Sequence, residues 1–173
     1  MAPICALAQS VTPPELPSAL AANPELNSWL RISANGVVTL SPGKCEIGQG
    51  VQTALAQIAA EELDVAFDRV HVATVDTAYS PDEAYTSGSR SVEQTGAAVR
   101  VATAEVRAIL IDLAAVELGI DGQTLAVRDG TFVYHGKATK LDYWAVVGKH
   151  TLARQADGSA TPKSHENYQL VGT

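Results

Sequence analysis

Glu46-Ile47-Gly48-Gln49-Gly50-Val51 is the stretch from which the rest of the chain can be read. Two glycines flank one amide side chain at the mouth of a helix, where Val51, Leu55, Ile58 and Ala59 fall at helical spacing. Glu61-Glu62 close that pattern on a polar note. Glycine lets a ligand approach the backbone closely, and a helix start presents unpaired N–H groups to anions. Further along, Thr86-Ser87-Gly88-Ser89-Arg90-Ser91 repeats the arrangement ahead of a longer helical pattern. Ser91 and Gln94 have capping-box spacing, so the Ser91 hydroxyl is expected to accept from the N–H of Gln94. Two small-residue loops opening two helices predict one site for a large, phosphorylated, polar cofactor. Spacing alone leaves open the plainer alternative, that the loops only cap helices.

Working outward, Trp29-Leu30-Arg31-Ile32 and Val37-Val38-Thr39-Leu40 are short β-rich runs around Asn35-Gly36, a pair favoured in type I′ hairpin turns. Val70, Val72 and Thr74 alternate with His71, Ala73 and Val75, which predicts a strand. From Val92 to Leu118 runs the strongest helical pattern, with Val99, Val106, Leu110, Leu113 and Glu117 on one face and Gly119 as its stop. Asp129-Gly130 joins Leu125–Arg128 to Thr131–Tyr134 in a second hairpin, a short helix follows around Tyr143–Val147, and the end is irregular. The order ββαβα, then ββα, predicts an α+β domain over residues 28–173, with helices packed on a mostly antiparallel sheet. Ahead of it, Ala2–Gln9 reads like the end of a secretory signal with Ala6-Leu7-Ala8 as its cleavage site, so export to the periplasm is expected. Residues 11–27, with Pro13, Pro14, Pro17 and Pro24, read as an extended arm without regular structure.

Composition narrows the functions. A formal charge of −7 and a pI near 5.0 argue against nucleic acid, because no basic stripe exists to neutralise phosphates. No apolar run is long enough to span a bilayer. Cys5 and Cys45 lack zinc-finger spacing, and a disulfide between them is not expected. His71, His135, His150 and His165 lack ligand spacing and read as surface residues. Asp76, Asp82 and Glu83 read as a solvated acidic loop, and Glu46 as a solvated carboxylate or a general base. Arg90 and Arg100 could balance an anionic ligand or offset local negative charge. No metal-ligand cluster and no catalytic residue are assigned.

The run from Gly43 through Gly48-Gln49-Gly50 to Leu63 resembles the xanthine dehydrogenase/aldehyde oxidase family of molybdenum hydroxylases. So does the stretch from Asp76-Thr77 through Thr86-Ser87-Gly88-Ser89-Arg90-Ser91 to Gly96-Ala97-Ala98. The likeness is greatest to the large, molybdopterin-binding subunits of nicotinate and isoquinoline oxidoreductases that are exported and cytochrome-linked. It implies a molybdenum–molybdopterin cofactor, in bacteria usually the cytosine dinucleotide, with the metal held by the pterin dithiolene. By resemblance, Gly48, Gln49 and Gly50 lie by the molybdenum centre, and Gly88, Ser89 and Ser91 contact the phosphate-bearing part. Hydroxylation of an N-heterocycle or aldehyde is implied, with electrons leaving through an iron–sulfur subunit and a possible cytochrome c partner.

One departure tempers this. The family's base is a glutamate in a later glycine-containing motif, and no segment here matches it. The chain alone is therefore expected to be inactive until completed by the remaining molybdenum-subunit domains or a separate large chain. A split subunit, an excised fragment and a reduced homologue all remain open, as does a non-catalytic exported binding module that keeps the fold.

Overall fold

Alternation in two short strands lays down the first layer. In β1 (Leu30–Ile32) and β2 (Val38–Leu40), the residues Leu30, Ile32, Val38 and Leu40 are buried, while Arg31 and Thr39 turn to the opposite face. The computed structural model describes residues 15–172. The signal-like Ala6-Leu7-Ala8, Cys5, Pro13 and Pro14 lie outside them.

β1 and β2 pair antiparallel, with Leu30 opposite Leu40. Their turn differs from the expected type I′, because Gly36 takes a positive φ of 89° and Asn35 does not. The Gly36 N–H donates to Ser33 O and the Ser33 N–H to Val37 O, a longer turn ending in a left-handed glycine. β3 (Val70–Val72) is shorter than the predicted strand and lies parallel to β2. A parallel neighbour needs a crossover, and α3 (Val51–Leu63) supplies it, packed against β3.

Beside α3 runs α4 (Ala97–Leu118), preceded by a π-helical turn at Ser91–Gly96. Small side chains set the approach of the two helices. Ala56, Ala59 and Ala60 of α3 and Ala98, Ala102 and Ala114 of α4 are buried, and a Cβ at Gly96 would sit 3.2 Å from Ile58 Cδ1. Val99, Val106 and Leu110 are fully covered. Burying each such aliphatic side chain is worth about 1.5–3 kcal/mol. Gly119, with φ of 66°, stops the helix as predicted.

A second antiparallel sheet holds β4 (Leu125–Arg128), β5 (Thr131–Tyr134) and β6 (Lys137–Asp142). The Asp129-Gly130 hairpin is present, with φ of 45° and 73°. β6 was not predicted, because its exposed Lys137, Ala138 and Lys140 carry no apolar alternation. Asp142 caps α5 (Tyr143–Val147) by accepting from the Ala145 N–H. The architecture is thus α+β, with helices on two small, mostly antiparallel sheets.

Two corrections concern the ends. The supposed arm contains α1 (Ser18–Ala22) and α2 (Leu26–Trp29), and Leu20 and Leu26 are fully buried. Prolines fix φ only locally, so the apolar residues between them fold onto α4. The C-terminal stretch is irregular, as expected, yet it is clamped by glutamates read as polar helix ends. Glu61 accepts from the N–H groups of Gln169, Leu170 and Val171, and Glu62 from Lys163 N–H and Arg100 Nε. Glu105 accepts from the N–H groups of Asp157 and Gly158. Among the described residues, no helix is long and apolar enough to cross a membrane.

Candidate functional site

The two loops singled out in the sequence are joined. The Gly43 N–H donates to Glu83 Oε2 at 2.7 Å, and the Cys45 N–H to Thr86 Oγ1 at 2.8 Å. Lys44 is buried, and its ammonium donates to the carbonyls of Glu83 and Tyr85. Thr95, at the foot of the second helix, donates from Oγ1 to Glu83 Oε1 at 2.7 Å. Glu83 is therefore no solvated acid but the joint of the site. Gly43 is required on space alone, because a Cβ there would lie 2.2 Å from the carbonyl oxygen of Pro81.

Within the first loop several amides are already taken. Glu46 accepts from the N–H groups of Gly48 at 2.7 Å, Gly50 at 3.0 Å and Gln52 at 3.1 Å. These bonds, Gln52 and Gly50 foremost, hold the Glu46 carboxyl below its ordinary value. Gln49 folds onto its own loop, accepting from the Ile47 N–H at 2.6 Å and donating to Cys45 O at 2.9 Å. Gly48 and Gly50 have φ of 97° and 75°, with open space where a Cβ would point. The expectation that this helix start offers free donors to an anion is narrowed by the Glu46 carboxylate, which engages the Gly48, Gly50 and Gln52 amides. A carboxylate of the chain itself neutralises that end of the dipole.

The second loop is different. Among the described residues, the N–H groups of Gly88, Ser89 and Ser91 and the hydroxyls of Ser89 and Ser91 donate no hydrogen bond. The expected bond from the Gln94 N–H to the Ser91 hydroxyl is absent, because the Gln94 N–H donates to Arg90 O at 2.8 Å. A π turn occupies the helix start and moves the first turn out of capping-box geometry. Gly88 and Ser89 both take left-handed φ, of 66° and 57°. A non-glycine residue held there is strained, and such strain concentrates at functional sites. Arg90 stacks over Gly88 and forms no ion pair with another described residue, whereas Arg100 is committed to Glu62 and to the carbonyl of Lys163.

The second loop therefore fits an oxyanion through unused amides and hydroxyls beside an uncommitted guanidinium. The first, with the Gly48, Gly50 and Gln52 amides held by Glu46, presents a glutamine on open backbone. Both loops are exposed, and so are Ile47 (75%), Tyr79 (78%), Tyr85 (88%) and Val92 (53%). A cavity of about 370 Å³ runs beside the loops, bounded by Gly43, Cys45, Ser80 and Glu83. Sequence reading missed Gly43, Lys44, Glu83 and Thr95, whose bonding partners mostly lie about 40 residues away in the chain. The four histidines are exposed, and among the described residues no three metal-ligating side chains gather.

A fold of this kind with these paired loops defines the molybdopterin-binding unit of molybdenum hydroxylases. The family model described as the molybdopterin cofactor-binding domain matches residues 4–169, and the chain belongs to that family, within the xanthine dehydrogenase and aldehyde oxidase class. It is 34% identical over 171 residues to the nicotinate dehydrogenase B-subunit of Pseudomonas putida, covering 96% of this chain and 14% of that one. It is 32% identical over 138 residues to the isoquinoline 1-oxidoreductase beta-subunit of Brevundimonas diminuta, covering 76% and 17%. The Cu,Mo-CO dehydrogenase in its carbon monoxide reduced state superposes with a TM-score of 0.56 at 33% identity, covering 62% of this chain and 14% of that chain. The chain thus spans less than a fifth of the length of these relatives.

Proposed function

We propose that this chain forms one wall of a molybdopterin site, in the cytosine dinucleotide form, within a periplasmic hydroxylase of N-heterocycles or aldehydes. The observation that carries this reading is the contrast between the joined loops. Amides and hydroxyls at Gly88, Ser89 and Ser91 are free to hold the phosphates. Gln49, held on its own loop by one bond to each end of its amide, keeps a second N–H and a second oxygen lone pair for a neutral ring. When bound, the cofactor supplies the redox chemistry, and the residues here place it.

Completion by other polypeptide follows from the same surface. Exposed Ile47, Tyr85 and Val92 lie on and beside the loops and suit coverage by further molybdenum-subunit domains or a separate large chain. An iron–sulfur subunit and a cytochrome c would carry the electrons away. The purified chain alone is expected to turn over neither nicotinate nor an aldehyde with an artificial acceptor.

The test is isolation of the chain from its native host, with metal analysis and mass spectrometry of what accompanies it. Molybdenum, a cytosine nucleotide released by acid and a larger partner are the expected findings. A lone, metal-free monomer would overturn the reading in favour of a non-catalytic exported binding module. The self-satisfied Gln49 and Glu46 are the features that would suit that alternative.

A further inference from the structure

The open face of the first sheet, away from the α3 and α4 helices, carries a feature that the cofactor loops do not use. Arg31, Thr39 and His71 stand in register across β1, β2 and β3 and form one row on this face. Ser33 and Ser41 flank the row, and with Arg31, Thr39, Asn27 and Tyr79 they line a cavity of about 660 Å³. That volume lies within the range of small-molecule sites.

Three properties of the cavity point to its occupant. Its lining holds a guanidinium and no carboxylate, in a chain whose net charge is −7. The acids that flank the lining in sequence are engaged elsewhere: Glu25, two residues before Asn27, accepts from Gln155 Nε2, and Asp76, in the loop before Tyr79, accepts from the N–H of Ala78 within its own turn. Among the described residues, the side chains of Asn27, Arg31, Ser33, Thr39 and Ser41 make no hydrogen bond or ion pair, so a concave set of donors and acceptors is left to solvent or a ligand. Tyr79 is 78% exposed at the rim and offers a ring face.

We propose that this face binds a small phosphorylated polyol, such as a sugar phosphate. The planar fork of Arg31 takes two phosphate oxygens, as guanidinium groups do. The hydroxyls of Ser33, Thr39 and Ser41 and the amide of Asn27 both donate and accept, which matches sugar hydroxyls in either sense. The Tyr79 ring covers the apolar face of the sugar. Arg31 and Thr39 lie opposite each other on paired strands, which fixes the spacing of the guanidinium and that hydroxyl. The site is independent of the molybdopterin reading and does not share its residues.

The test is titration of the full 173-residue chain with ribose 5-phosphate, with ribose and with inorganic phosphate, followed by amide chemical shifts. Saturable binding of ribose 5-phosphate is expected, with shifts at Arg31, Thr39 and Ser41 and an affinity about tenfold or more above that for either component. Arg31→Gln weakens it about tenfold or more, and Tyr79→Ala weakens it while the thermal midpoint of the free protein stays unchanged. Equal affinity for inorganic phosphate would mean an adventitious ion only and would overturn the proposal. So would an unaltered affinity in Arg31→Gln, or shifts confined to Gly88–Ser91, which would instead place the ligand on the cofactor loop.

Discussion

The N–H of Gly43 donates to Glu83 Oε2 at 2.7 Å across 40 residues of sequence. The other oxygen of the same carboxylate accepts from Thr95 Oγ1 at 2.7 Å. One side chain thereby fixes the first loop, the second loop and the foot of α4 relative to each other. Replacing it with Ala removes two charge-assisted bonds, each worth about 1.5–3 kcal/mol. Glu83→Ala is expected to lower the urea-unfolding free energy by about 3 kcal/mol or more, with Glu83→Gln costing less. An unchanged midpoint for both variants would show that the joint does not matter.

The glycines of the first loop separate two reasons for being glycine. Gly43→Ala drives a Cβ to 2.2 Å from a backbone carbonyl, and the overlap should cost about 3 kcal/mol. Gly48→Ala meets nothing within 4 Å but keeps a φ of 97°, so its cost is conformational, about 1–2 kcal/mol. Equal losses in the two variants, measured by thermal or urea unfolding, would contradict this distinction.

Glu46 makes the first loop sensitive to acid. Its folded carboxyl lies below the ordinary value because amide N–H groups, Gln52 and Gly50 foremost, favour the anion. The stabilisation is present above the unfolded carboxyl's value and is lost as pH falls through the depressed folded one. Amide exchange at Gly48, Gly50 and Gln52 should therefore be slow near neutrality and accelerate in acid, beyond the intrinsic pH dependence of exchange. In Glu46→Gln the same amides should be less protected at neutral pH. Protection that is indifferent to this substitution would remove Glu46 from its role.

The clamps on the C-terminal stretch titrate in opposite directions. Burial alone would raise Glu61, but the N–H groups of Leu170, Val171 and Gln169, together with Lys163, outweigh it and hold the carboxyl low. Glu105 is raised by burial, which exceeds the help from the Gly158 and Asp157 amides. Carboxyl-carbon titration should find Glu105 protonating above ordinary glutamate and Glu61 below it. On lowering the pH, Glu105 adds stability as it protonates, whereas Glu61 loses its contribution as pH falls through its own depressed value. Glu61→Ala should cost about 3 kcal/mol and admit trypsin at Lys163.

Much of the fold was legible because local rules governed it. The Val51–Leu63 and Ala97–Leu118 helices carried helical periodicity, Gly119 a left-handed stop, and Asp129-Gly130 a type I′ turn. β6 was not legible, because its strand character comes from pairing with β5 and not from apolar alternation. The helices before Trp29 were hidden behind prolines, and only contact with α4 shows why Leu20 and Leu26 are buried. The candidate loops were found by their small residues. Glu83, Lys44 and Thr95 were not, because a polar side chain in one sequence does not disclose a partner 12 or 41 residues away.

By itself the sequence determined where the chain bends and which short segments are helical, because glycine conformation and side-chain period act within a few residues. It also determined the family, through the glutamine-bearing and serine-bearing loops. Only the tertiary structure decided how the two loops are joined. Glu46 and Glu83 carry the same carboxylate, and what each does depends on which N–H groups the folded chain brings within 3 Å of it. Glu46 finds its N–H groups two to six residues on, within its own loop, whereas the partners of Glu83 lie 12 and 40 residues away and had to wait for the fold to bring them together.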